Sequence, residues 1–120
     1  MTVPKVALVT GSVSGIGFAT AKQFLEAGYA VALHSEVDES RVPEQAADLL
    51  ASSAAKTSYH SADFREPQLA ARQLIQAVLA RWGRIDVLVS NAATTHHAEL
   101  SEVSEAEWQR ILAVNVLAPY

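Results

Sequence analysis

One hundred and twenty residues suffice for one domain that buries about two thirds of its unfolded surface. Half of them are hydrophobic and no low-complexity tract interrupts them, which excludes a disordered chain. Nine basic against thirteen acidic side chains, net -4, argue against nucleic acid or an anionic membrane surface as a partner, and the lack of cysteine excludes disulfides, thiolate catalysis and iron–sulfur ligation.

The first five residues run straight into an apolar stretch without the layout of a secretory leader, and no apolar run approaches the roughly 20 residues of a membrane span. A cytoplasmic protein is the expectation. Short branched runs then alternate with longer Ala/Leu-rich ones, the pattern of a parallel sheet covered by helices. Residues 6–9 are the first buried strand, and 18–27 repeat apolar residues at helical spacing up to Gly28, a natural C-cap. Residues 29–33 form a second strand. A second helix is expected over 42–53, with Pro43 tolerated in its first turn. Residues 57–62 are polar enough for an edge strand. Pro67 stands where a first helical residue would, and Leu69, Ala70, Leu74, Ala77, Val78 and Trp82 carry a stripe down to Gly83. Residues 85–89 make a fourth strand. Ser104-Glu105-Ala106-Glu107 reads as a capping box, Ser104 accepting from the Glu107 amide and Glu107 answering toward the Ser104 amide, and it opens a helix with Trp108, Ile111, Leu112 and Val116.

Between the first strand and helix lies Thr10-Gly11-Ser12-Val13-Ser14-Gly15-Ile16-Gly17. Glycines in that place let the chain turn tightly, bring backbone amides against a pyrophosphate and pack helix closely on strand. The helix beneath presents free N–H groups and its positive dipole end to phosphates. Taken alone, Asn91 is a strand-end residue that caps as readily as it binds. Asp63 could equally stabilise a helix dipole, and Asn115 is a polar group between Val114 and Val116 in a helix.

Thr-Gly-x-x-x-Gly-Ile-Gly resembles the cofactor loop of the short-chain dehydrogenase/reductase family. Three further segments follow in the family's order: Asp63-Phe64, Asp86-Val87-Leu88-Val89-Ser90-Asn91-Ala92-Ala93 and Asn115-Val116. The resemblance covers nearly the whole chain. It implies a Rossmann-like, doubly wound three-layer α/β/α fold with strand order 3-2-1-4, stopping after the fourth strand and the start of the next helix. It implies a cofactor site at Thr10, Gly11, Ser12, Ser14, Gly15, Ile16, Gly17, His34, Ser35, Asp63, Phe64, Asn91, Ala92 and Ala93. Asp63 and the Phe64 amide would face the adenine edge, and Asn115 would help hold a water that relays protons to a catalytic lysine. Two positions depart from the pattern: Ser90 stands for the first Asn of the pair, and Ala93 for a Gly whose lack of a methyl group suits close backbone approach.

By that alignment Ser35 holds the position of the acid that grips the ribose 2′-hydroxyl of NAD, and its small side chain leaves space for the 2′-phosphate of NADP. Glu36 opposes a phosphate, while His34 and Arg41 are the local cations that could help. NADP is favoured over NAD by a narrow margin. The family's Ser and Tyr-x-x-x-Lys have no counterpart: the tyrosines are Tyr29, Tyr59 and Tyr120, and the last lysine is Lys56. His96 and His97 read as loop residues rather than a metal set. The expected function is therefore the cofactor-holding segment of an oxidoreductase acting on a small carbonyl or alcohol substrate, a dimer or tetramer of identical chains when complete. A fragment of a longer protein is the favoured explanation, with residues 87–89 left as an apolar edge. The alternative is an inert nucleotide-binding or assembly module.

Overall fold

The computed structural model describes residues 3–120. Four parallel strands, β1 (Val6–Val9), β2 (Ala30–Ser35), β3 (Thr57–Ser61) and β4 (Val87–Val89), form one sheet in the order β3-β2-β1-β4. The helices are α1 (Gly15–Glu26), α2 (Glu44–Ser52), α3 (Pro67–Trp82) and α4 (Glu105–Leu112), the last continued by a π-helical turn, Ala113–Leu117. The expected three-layer architecture and strand order are both present. β1 and β2 are buried along their full length because helices cover both faces, which explains their lack of polar alternation.

Side-chain alternation along the strands divides the core. Val6 and Leu8 of β1 with Ala30 and Ala32 of β2 pack against Phe64, Ala70, Leu74 and Val78 on the α3 side. Val9, Val31 and Leu33 pack on the other face with Ala21, Phe24, Leu49 and Leu50 from α1 and α2. The sheet start is pinned by Asp86, whose carboxylate accepts the Val6 amide at 2.8 Å while Arg84 holds its other oxygen at 2.6 Å.

Several boundaries differ from those expected. α1 begins at Gly15, three residues early, because a glycine with positive φ turns the chain straight into helical geometry. α2 begins at Glu44 with Pro43 outside it, after a single 3-10 turn at Glu39–Arg41 capped by Asp38. β4 spans only Val87–Val89, since the side chain of Asp86 is engaged with Val6 and Arg84. Pro67 is the first residue of α3, and Gly83 ends it in the left-handed conformation (φ 80°). Only half of the capping box forms. Ser104 Oγ accepts the Glu107 amide at 3.1 Å, but the Glu107 carboxylate turns to Arg110 and His96 at 2.8 and 2.9 Å. A guanidinium and an imidazole nitrogen together outcompete one backbone amide.

Candidate functional site

The carboxyl ends of β1, β2, β3 and β4 converge on one crevice, the position where open parallel sheets bind ligands. At its floor the β1–α1 turn is tied to the neighbouring strands from three sides. Thr10 Oγ1 accepts the amides of Asn91 and Ala92, both at 3.0 Å. The side-chain amide of Asn91 donates to the carbonyls of Thr10 and Gly11 at 3.2 and 3.0 Å. Ser12, fully buried, exchanges two bonds with the backbone of His34, each 2.9 Å. Thr10, Ser12 and Asn91 thus act through the turn: their polar atoms brace it.

The glycines divide the labour. A Cβ at Gly17 would lie 2.2 Å from the Gly11 carbonyl oxygen and 2.5 Å from Asn91 Nδ2, so that glycine lets α1 pack on the turn. Gly15 (φ 58°) differs, for a Cβ there would meet nothing within 4 Å. Its face looks into open space beside the first amides of α1. Ser14, the N-cap of α1, makes no side-chain cap bond, and the Ile16 side chain stands 80% exposed at the mouth. Free helix-start amides around an open backbone face are what a pyrophosphate requires.

Two contiguous clefts flank this turn and share Gly11, Glu36, Ala92 and Ala93. One, of about 390 Å³, is lined by His34, Asp63, Phe64, Arg65, Thr94 and Arg110. The other, of about 470 Å³, is lined by Ser14, Ser35, Val37, Arg41 and Pro43. Their lining suits a dinucleotide: a recess of mixed apolar and charged lining for a base, a polar groove for ribose and phosphate, and Gly11, Ala92 and Ala93 common to both.

His34 does not supply a cation, and the expectation that it could is corrected. It is 2% exposed, with Nδ1 3.0 Å from the Gly11 amide and Nε2 3.0 Å from the Ala62 carbonyl. An amide can only donate, so Nδ1 accepts, and Nε2 carries the proton given to Ala62. Burial lowers the His34 pKa, with the Ala62 bond and the charge of Glu36 opposing it. Its ring stacks on Phe64 with centroids 4.6 Å apart, so the Phe64 side chain is core and wall rather than a polar contact.

Ser35 is also less available than its position implied. Its side chain lies 2.6 Å from the Tyr59 hydroxyl, which donates to the Val37 carbonyl. Burial raises the Tyr59 pKa, keeping the phenol a neutral donor in this chain of bonds. Arg41, on the 3-10 turn, is the cationic side chain lining that cleft. Asp63 lies at the other cleft, both carboxylate oxygens engaged by Arg65 at 2.5–3.0 Å, and these bonds hold its carboxyl below the usual range.

Asn115 lies within the π turn. Its Oδ1 accepts the Thr94 amide at 2.8 Å and its Nδ2 donates to the Thr94 carbonyl at 2.9 Å. This two-point clamp gives an exposed mid-helix asparagine a fixed partner in the loop after β4. Arg110 reinforces it, donating to Thr94 Oγ1, to the Thr95 carbonyl at 3.3 Å and to Glu107 at 2.8 Å, while His96 Nδ1 lies 2.9 Å from the same Glu107. Arg65, Thr94 and Arg110 escaped the sequence reading. Arg65 could have been found from its place two residues after Asp63, whereas nothing local marks Arg110, whose loop partners lie 15 and 16 residues upstream.

A family model described as short chain dehydrogenase matches residues 5–120. The chain therefore belongs to the short-chain dehydrogenase family, whose members are nicotinamide-dependent oxidoreductases. It is 35% identical over its full length to the 3-oxoacyl-[acyl-carrier-protein] reductase FabG of Chlamydia muridarum, of which it covers 48%. Among solved structures, a short chain dehydrogenase from Burkholderia cenocepacia in complex with NADP superposes with a TM-score of 0.83 at 33% identity, covering 95% of this chain and 46% of that one. The NADH-dependent reductase A1-R′ complexed with NAD gives 0.82 at 30% identity, covering 97% and 48%. The chain spans about half the length of most curated relatives it matches.

Proposed function

We propose that the chain holds the ADP-ribose portion of NADP or NAD for an oxidoreductase that interconverts a small carbonyl compound and its alcohol. The observation that carries this reading is the open backbone face at Gly15 beside the first amides of α1, on the turn whose Gly11 lines both clefts. When bound, the nicotinamide supplies the hydride. The residues of this chain bind and orient. The Gly15–Gly17 amides receive the pyrophosphate, the recess between His34, Phe64 and Asp63 takes the base, and the polar groove at Ser14, Ser35 and Arg41 takes the adenosine ribose. The Ala92–Ala93 backbone faces the second ribose, where the Ala93 methyl narrows the approach.

Arg41 supports the preference for NADP, since a guanidinium in the ribose groove can pair with a 2′-phosphate, whereas Glu36 in the same groove suits a 2′-hydroxyl. Asn115 is a positioning residue in this scheme, acting on Thr94 rather than on a reacting atom. Proton delivery to the developing alkoxide requires an acid, and neither Tyr29 nor Tyr59 has a lysine four residues on. The family pattern assigns that step to residues beyond 120, in a cytoplasmic homo-oligomer.

The test is calorimetric titration of the native gene product with NADP and NAD. Gly15→Trp, which fills the open face, is expected to abolish binding of both. Undiminished affinity in that variant would place the pyrophosphate elsewhere and sink the reading.

A further inference from the structure

One buried titratable group touches the phosphate turn directly. His34 sits at the end of β2, one residue before the expected ribose contacts, and bridges two walls of the crevice: Gly11 on the turn, 3.0 Å from Nδ1, and Ala62 at the end of β3, 3.0 Å from Nε2. Phe64 lies over its ring. Gly11 is also one of the four residues that line both clefts, and its carbonyl is already held by Asn91. Gly11 is thus held at both its amide and its carbonyl, and His34 is the half of that clamp that can titrate.

We propose that His34 is a positioning residue for the dinucleotide: as a neutral acceptor it fixes the Gly11 amide and with it the phosphate turn, and its protonation releases the turn and weakens nucleotide binding. A protonated imidazole has two N–H donors, so Nδ1–H would face Gly11 N–H and the bond would become a repulsion. The turn would have to move. The charged groups around the ring divide in sign. Glu36, along the same strand end, favours the imidazolium, and Asp63, Arg65 and Arg110 line the same cleft with both signs of charge. His60 is the register partner of His34 on β3, with Arg81 of α3 close enough to act on it. Burial outweighs the favourable charges, which makes the neutral ring the resting state at neutral pH.

This inference rests on the dinucleotide reading of the crevice. Its test therefore has one arm without nucleotide. In ¹⁵N spectra of the native gene product at pH 7.5, His34 should show an unprotonated Nδ1 and a protonated Nε2; a protonated Nδ1 overturns the proposal. In the second arm, dissociation constants for NADP⁺ and NAD⁺ are measured by calorimetry from pH 8 to pH 5.5. Both should weaken progressively as the pH falls below about 6.5, toward the roughly tenfold loss expected for one hydrogen bond once the ring is fully protonated. Weakening of NADP⁺ alone would trace to its own 2′-phosphate, which titrates near pH 6, and would overturn the proposal.

His34→Asn can place Oδ1 against the Gly11 amide but does not titrate, so its affinity should be independent of pH and should exceed that of His34→Leu at pH 8. If His34→Asn keeps the acid weakening of the native protein, His60 or another group carries it and the proposal fails. Should His34→Leu not fold, the asparagine variant still decides. Absence of binding at every pH overturns the dinucleotide reading together with this one, whereas tight, pH-invariant binding overturns this one alone.

Discussion

Gly17 and Thr10 show how little slack single residues have in the turn. A methyl group at 17 would meet a carbonyl oxygen at 2.2 Å, and neither that backbone nor the Asn91 amide behind it can retreat without breaking the brace. Gly17→Ala is expected to cost about 3 kcal/mol, the upper end of overpacking penalties, read from the midpoint of denaturant unfolding. Thr10→Val keeps the shape but removes the acceptor of two backbone amides, Asn91 and Ala92. About 2 kcal/mol should be lost there, and a melt unchanged within 0.5 kcal/mol would show that water replaces the hydroxyl. His34 adds a pH dependence with a definite sign. Its folded pKa is depressed, so the unfolded chain binds the proton more readily, and stability is full above about pH 6.5 and falls as pH drops below it. Between pH 6.5 and 5 the melting temperature of His34→Asn should fall less steeply than that of the native protein; parallel curves would assign the acid sensitivity to His60, whose pKa burial also lowers.

At the scale of elements, the loop between β4 and α4 is held by side chains rather than by secondary structure. Asn115 grips Thr94 at both its amide and its carbonyl, and Arg110 binds Thr94 and Thr95. Asn115→Ala should raise amide exchange across residues 93–97 at least tenfold while leaving β1 and β2 protected, since those strands share no bond with the clamp. Unaltered exchange in that loop would mean that Arg110 alone suffices. The elements themselves were largely readable. Pro67 and Gly83 bracket α3 because proline lacks the amide a first turn leaves free and glycine takes the left-handed φ without strain. The missed boundaries have local causes of another kind: Gly15 starts α1 by its own positive φ, and Glu107 abandons its cap for Arg110 and His96.

For the molecule as a whole, the α3 side of the sheet leaves apolar surface in the open. Leu88 on β4 is 50% exposed and, with Leu8, Leu74, Val114 and Tyr120, lines an apolar groove of about 240 Å³. β4 pairs with β1 alone among the described strands, and Trp108, Leu112, Val116 and Leu117 continue the exposed surface along α4 and the π turn. Produced by itself, the 120-residue chain should associate in a concentration-dependent way in sedimentation velocity, and Leu88→Lys should reduce that association. A sharp monomer at tens of micromolar would contradict it. Nucleotide at a hundredfold excess over its dissociation constant should add roughly 2.7 kcal/mol to the stability of the folded form, a coupling that Gly15→Trp removes.

Periodicity and punctuation by themselves determined the parallel sheet, its covering helices and the place of the glycine turn, because burial on both faces demands unbroken apolar strands and a left-handed turn demands glycine. Tertiary structure alone decided what the polar residues do. Ser12, His34, Ser35 and Asn91 sit where a sequence alignment puts cofactor contacts, yet each meets a partner 22 to 81 positions away that turns it into a brace. A hydrogen bond is set by distance in space, and a serine or histidine reads the same in sequence whether its acceptor is a ligand or a neighbouring strand.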